Sequence, residues 1–157
     1  MSSDHLGTTS LAQVAIVVRD IEASAKRYAE ILGLPVPEVI TLAPGLEVNQ
    51  TYYGQPSDAQ AKLAFFQLGP VQLELIEPMG GKSTWQDVLD RKGVGLHHIA
   101  FWVEDMQKRV DFLKEHGIQM IQRGDMGEGQ FAYFDAEKQL GVVLELLEQK
   151  RKARAVG

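Results

Sequence analysis

The sequence predicts an α+β fold in which one unit of strand, helix and further strands is written twice, with the helices on the outer face of a shared sheet. Three observations carry this expectation. QVAIVVRDIE, from Gln13, matches HIAFWVEDMQ, from His98, over ten positions: each is an alternating apolar segment that runs into an aspartate and then into a helical pattern. VQLELIEP, from Val71, matches VVLELLEQ, from Val142, with a glutamate at the same place inside an apolar strand. The separations differ, 85 residues between Gln13 and His98 against 71 between Glu74 and Glu145, so the first half carries extra residues. They belong in the loop-rich stretch TLAPGLEVNQTYYGQPSDAQ.

Each element follows from local chemistry. Gln13 to Val18 alternates as a strand, and Asp20 stands as the N-cap of a helix whose residues Ile21, Ala25, Tyr28 and Leu32 share one face. Gly33 stops that helix. In the second half Asp105 is the cap, Met106, Val110 and Leu113 form the apolar face, and the run EHG ends the helix at Gly117. STWQDVLDRK, with Ser83 and Gln86 in a capping-box arrangement, predicts a linker helix between the halves. Further strands are expected at Glu47 to Gly54, Ala61 to Leu68, Gln119 to Arg123 and Gln130 to Asp135. The resulting division is a flexible terminus at 1–10, a first module at 11–80, a linker helix and loop at 81–96, a second module at 97–148, and a basic flexible tail at 149–157.

Composition removes several classes of function. A chain of 157 residues that is 45% hydrophobic is long enough for one well-buried core. Its net charge of -5 argues against nucleic acid, whose binders carry a basic face. No cysteine is present, so thiolate zinc sites and cysteine nucleophiles are excluded, and any metal must be held by nitrogen and oxygen. There is no apolar run of membrane-spanning length and no signal-type apolar segment. The expectation is a cytoplasmic protein acting on a small molecule, without nucleic-acid or membrane partners.

Strand parity then singles out four residues. Gln13, Ala15 and Val17 share one side of their strand, and His98, Ala100 and Trp102 share the equivalent side of theirs, opposite uniformly apolar residues that should pack on the helices. Glu74 shares its side with Gln72, and Glu145 with Val143 and Leu147. Each glutamate sits mid-strand among apolar neighbours, where an ionised carboxylate must be protonated, hydrogen-bonded or bound to a cation. If the halves pack about a pseudo-two-fold axis, Gln13, Glu74, His98 and Glu145 enter one cavity. Such a donor set suits one divalent ion, Zn, Ni, Co, Mn or Fe. Ala15, Val17, Gln72, Ala100, Trp102, Val143 and Leu147 are then the expected substrate pocket. Taken singly, each ligand has a plain alternative: Gln13 an edge polar residue, His98 a structural histidine, the glutamates a wet sheet face. His5, His97 and His116 keep the structural reading, and Lys82, Arg91, Lys92, Arg123 and Lys138 are read as surface charge near the cavity mouth.

On these residues, over nearly all of 10 to 148, the chain resembles the vicinal oxygen chelate superfamily, which includes glyoxalase I, methylmalonyl-CoA epimerase, extradiol dioxygenases and resistance proteins. GLHHIAFWVEDM, GVVLELLE and the linker GKSTWQDVLDRKGVG look most like the epimerase branch. The resemblance implies paired βαβββ modules forming a U-shaped mixed sheet around a metal, with ligands at the positions of Gln13, Glu74, His98 and Glu145. It also implies a homodimer and a substrate such as an acyl-CoA or other thioester. Two departures stand against it: epimerases usually begin the first strand with histidine, where this chain has Gln13, and glyoxalases place an arginine where it has Val17. Three readings follow. The first is a metal-dependent epimerase or isomerase in which Glu145 and Glu74 move a proton alpha to a carbonyl and an enediolate is stabilised. The second is a glyoxalase-type lactoylglutathione lyase, and the third a non-catalytic small-molecule-binding protein.

Overall fold

The computed structural model describes residues 5–149; residues 1–4 and 150–157, at the outer ends of the expected terminus and tail, lie outside the described residues. The first half runs β1 (Gln13–Val17), α1 (Ile21–Leu32), β2 (Ile40–Thr41), a 3-10 turn (Gly45–Val48), β3 (Thr51–Tyr52), β4 (Gln55–Pro56), β5 (Ala61–Leu68) and β6 (Val71–Pro78). The helix α2 (Thr84–Lys92) leads into β7 (Gly95–Trp102), α3 (Met106–Glu115), β8 (Met120–Met126), β9 (Gly129–Phe134), α4 (Glu137–Leu140) and β10 (Val143–Glu148). All ten strands form one mixed sheet in the order β2-β5-β6-β1-β7-β10-β9-β8-β3-β4.

This order displays the sequence repeat in space. In each half the first strand pairs in parallel with the last, β1 with β6 and β7 with β10, and the penultimate strand flanks the last in antiparallel fashion. The halves meet where β1 and β7 pair antiparallel at the centre of the sheet. Outward residues pack on the helices as strand alternation requires. Ile16, Val18, Leu73 and Leu75 meet α1 through Ile21, Ala25 and Ala29, and Ile99, Phe101, Leu144 and Leu146 join the cluster of Met106 and Leu113 of α3. Leu32, expected on the buried face of α1, is 41% exposed, and Ala29 takes its place.

The caps follow sequence chemistry closely. Asp20 Oδ1 accepts from Ala23 N at 3.1 Å, Ser83 Oγ from Gln86 N at 3.0 Å and Asp105 Oδ1 from Lys108 N at 3.4 Å, while Gly33 closes α1 in the left-handed region. A second matched pair of glutamates reinforces them. Glu77 Oε1 accepts from the first amide of α1, Ile21 N, at 3.0 Å, and Glu148 Oε2 accepts from the first amide of α3, Met106 N, at 2.6 Å. A carboxylate there satisfies an otherwise unpaired donor and complements the positive end of the helix dipole.

The insertion in the first half has a defined course. The expected strand from Glu47 to Gly54 is instead a 3-10 turn followed by a two-residue strand, because Asn49 and Tyr53 adopt left-handed φ of 52° and 49° and interrupt any extended run. Residues 42–50 leave β2 at one edge of the sheet and deliver β3 to the opposite edge, where Thr51 pairs with Arg123 of β8. The segment is thus a strap from the first half to the far edge of the second. Gly45 is required by close approach: a Cβ there would lie 2.1 Å from the Ser57 carbonyl oxygen. β2, β4 and α4 were not expected from the sequence pattern.

The helix-capping pair has a measurable consequence. Glu148→Ala leaves Met106 N without its partner and should lower unfolding free energy by about 1–2 kcal/mol in urea denaturation, with α3 amides losing hydrogen-exchange protection first.

Candidate active site

The concave face of the sheet places the four singled-out residues in two short rows. In the first row Glu74, Ala15 and His98 lie side by side on β6, β1 and β7; in the second, Gln13, Ala100 and Glu145 lie side by side on β1, β7 and β10. Each row has an alanine in the middle. Side chains two strands apart start roughly 10 Å from one another at the backbone, and the curl of the sheet leans them together over the alanine. Gln13 Oε1 lies 2.8 Å, Glu145 Oε1 3.1 Å and Glu74 Oε1 3.5 Å from His98 Nε2. All four residues are buried, and both halves of one chain supply them.

Electrostatics mark Glu74 as unsettled. Glu74 Oε1 is buried with no hydrogen-bond partner, and burial, followed by the nearby charge of Glu145, pushes the Glu74 carboxyl well above the ordinary carboxylate range. Among the described residues no lysine or arginine lines the cavity whose floor Gln13, Glu74 and Glu145 form. An orphaned carboxylate oxygen, a second carboxylate, an amide oxygen and an imidazole nitrogen make a hard, borderline donor set that fits a divalent cation. Among the described residues no three His, Asp or Glu side chains stand at full coordination spacing, and Gln13 and Glu145 are instead within hydrogen-bond reach of the imidazole.

A shell of further side chains holds the rows, and most of it escaped the sequence pattern. Ala15 pairs with His98 and Ile16 with Leu96, so His97 is the extra residue of a β-bulge. The bulge turns His97 inward beside His98, with the two Nδ1 atoms 2.7 Å apart and His97 Nε2 3.4 Å from Thr84 Oγ1. Burial, helped by the charge of His98, keeps the His97 pKa well below its usual value, so a neutral imidazole fixes the His98 ring. Glu145 is held from the other side. Trp85 Nε1 donates to the Tyr133 hydroxyl at 3.0 Å, and that hydroxyl donates to Glu145; burial and then the charges of Glu145 and Glu74 keep the phenol protonated. Gln13 Nε2 donates to Gln72 Oε1 at 2.8 Å, which aims the Gln13 oxygen at His98.

Above this floor lies a cavity of about 410 Å³. Of the residues expected to line it, Gln72, Trp102 and Leu147 do so. Ala15, Val17, Ala100 and Val143 do not: each is at most 1% exposed. The reason is α2, whose Trp85, Val88 and Leu89 fill one end of the trough and pack on Ala15, Val17 and Val143, while Ala100 lies beneath Gln13 and Glu145. The strap supplies lining that strand parity could not reveal, through Leu42, Val48 and Gln50. A buried amide chain ties it down: Gln50 Nε2 donates to the Ser57 and Ala59 carbonyls, Gln122 Nε2 donates to Gln50 Oε1, and Gln122 Oε1 accepts from Thr84 N at the start of α2. The Tyr52 hydroxyl donates to Asp87 of the same helix. Arg91 and Lys92 pair with Glu137 at 2.6 and 2.9 Å, and Arg123 donates to Gln130, so these cations are engaged away from the cavity.

Comparison with known proteins agrees with this architecture. Residues 12–134 match the family model of the glyoxalase/bleomycin resistance protein/dioxygenase superfamily. An uncharacterized protein of Bacillus subtilis, YqjC, is 31% identical over 144 residues, covering 89% of this chain and 92% of the relative. The ethylmalonyl-CoA/methylmalonyl-CoA epimerase of Cereibacter sphaeroides is 31% identical over 116 residues, 73% of this chain and 76% of that protein. Among solved structures, a methylmalonyl-CoA epimerase in complex with methylmalonyl-CoA and NH4+ superposes with a TM-score of 0.62 at 23% identity, covering 94% of this chain and 96% of the other. Fold, repeat and family model converge: the chain belongs to the glyoxalase/bleomycin resistance protein/dioxygenase superfamily.

Proposed function

We propose that this chain is an epimerase-type enzyme that removes and returns a proton on the carbon alpha to a thioester carbonyl, with Gln13, Glu74, His98 and Glu145 holding one divalent cation. The observation that carries the reading is the meeting of three side-chain oxygens around His98 Nε2, one of them the orphaned Glu74 Oε1. The epimerases among the relatives supply the substrate class for a first test. When bound, the cation supplies Lewis-acid stabilisation of the negative charge that develops on the substrate oxygen.

The protein's own groups do the rest. Glu74 and Glu145 reach the floor from different halves of the chain, so they flank a carbon seated there, one carboxylate removing the proton and the other serving the opposite face. Such acid–base transfer contributes roughly 10²- to 10⁴-fold. Tyr133 orients the Glu145 carboxylate, and His97 holds His98 in the ring orientation that presents Nε2 to the floor. Apolar walls exclude water from the exchanging carboxylates.

Two outcomes are expected. Protein purified without a tag or added metal should contain about one equivalent of divalent metal by elemental analysis and should exchange deuterium from solvent into C2 of methylmalonyl-CoA, the exchange falling about 10²- to 10⁴-fold in Glu145→Gln. A metal-loaded protein inert in this assay excludes that substrate, and a protein with neither bound metal nor a metal-induced rise in Tm is a binding protein instead. The second concerns stability. A carboxyl whose folded pKa is raised binds more protons folded than unfolded, so its unfavourable contribution is absent below the unfolded value of about 4.3 and grows as pH rises above it. Chelator-treated Glu74→Gln should therefore melt above the chelator-treated parent at pH 7, and the difference should vanish near pH 4.

A further inference from the structure

The cavity has two chemically distinct parts. Its floor is formed by Gln13, Gln72, Glu74 and Glu145, with His98 buried beneath them. Its walls, from both halves of the chain, are Leu63 and Phe65 of β5, Trp102 of β7, Phe131 of β9 and Leu147 of β10, with Met126 at the mouth. Trp102 and Met126 are exposed to 44% and 36%, and Leu63, Phe65 and Phe131 are half-buried, so the cavity presents a continuous apolar surface that opens to solvent. The charged side chains that line the cavity are Glu74, Glu145 and Asp125, all acidic, and Asp125 is engaged by Asn49 Nδ2 at 2.7 Å. Lysine and arginine do not appear among the described residues lining it. A volume of about 410 Å³ is within the range that encloses whole small-molecule ligands, far more than a methyl branch beside the reacting carbon occupies.

We propose that the cavity selects a substrate whose reacting carbon carries an uncharged apolar branch larger than methyl or ethyl, a butyl-sized alkyl chain or an aromatic ring, seated between Phe65, Trp102, Phe131 and Leu147. The aromatic and aliphatic walls suit a flat or flexible hydrocarbon, and the Trp102 indole N–H is the one polar group that the side chains of Leu63, Phe65, Trp102, Phe131 and Leu147 contribute. An anionic branch would enter a wall bearing only negative charge. The identity of the reacting carbon rests on the proton-abstraction reading; the selection of an apolar branch rests on the walls alone.

The test uses the full-length, metal-loaded protein and two series of compounds. In the first, 2-methyl-, 2-butyl- and 2-benzylmalonyl thioesters of pantetheine are followed for deuterium exchange at C2. Each methylene buried in the walls should raise kcat/KM about fourfold, so that butyl, with three more methylenes, exceeds methyl by about 60-fold. Trp102→Ala should reduce that ratio at least threefold, roughly the effect of one lost methylene contact. In the second, unreactive S-alkyl and S-benzyl pantetheines are titrated by calorimetry, and affinity should rise with alkyl length in the same proportion. Exchange that is equal or faster with the methyl compound overturns the proposal, as does affinity that is flat along the unreactive series. Affinity that rises with chain length while no thioester exchanges would support the selection and sink the proton-abstraction reading, so the two fail separately.

Discussion

Two buried carboxylates on one concave sheet face are the constraint to which the rest of the molecule answers. Glu74 and Glu145 are kept from water among apolar strands, with no lysine or arginine among the described residues lining the cavity above them. Folding them there is unfavourable unless something compensates. Here the compensation is local for Glu145, through Tyr133 and His98, and incomplete for Glu74, whose Oε1 has no hydrogen-bond partner and only the longer 3.5 Å contact to His98 Nε2. The alanines between the donor rows are part of the same device. A larger side chain at Ala15 or Ala100 would fill the gap over which Glu74 and His98, or Gln13 and Glu145, lean together. Stability has been surrendered at one point of the sheet, which is the usual mark of a site kept for chemistry.

Strand parity gives the repeated glutamates their division of labour. Glu74 and Glu77 are three residues apart on β6, as are Glu145 and Glu148 on β10, so within each strand one carboxylate faces the trough and the other faces a helix. The outward member lies on the first amide of α1 or α3 and anchors the helix to the strand that bears the inward member. The position of each floor carboxylate is thereby fixed by its own strand's grip on a helix.

Much of this was legible in the sequence because it depends on local rules. Period-two alternation located Gln13, His98, Glu74 and Glu145 on one face, and the repeat predicted that the halves would bring them together. Caps at Asp20, Ser83 and Asp105 and the stop at Gly33 are short-range chemistry and appeared where expected. What escaped depends on contacts distant in sequence. Parity could state that Ala15, Val17, Ala100 and Val143 face inward, but not that α2 would fill that end of the trough. His97 is the structural histidine it was read as, but its contact with His98 could not be seen, because a bulge breaks the alternation and turns it inward. Tyr133 lies in a strand that the pattern predicted, and its role arises only from Trp85 and Glu145 meeting it from other elements. The strap was recognised as an insertion, while its destination on β8 is a tertiary fact.

The strap also constrains the order in which the molecule can assemble. Within the first half β3 pairs only with β4 in a tight hairpin, and that hairpin joins the sheet through β8, where Thr51 meets Arg123 72 residues further along the chain. Closing such a long loop is entropically expensive and comes after local pairings have formed. The part of the wall carrying Val48 and Gln50 therefore docks on the far edge of the sheet only once the second half has been made. A nascent chain released before β8 has formed would hold its first carboxylate strand complete and its binding trough open along one side.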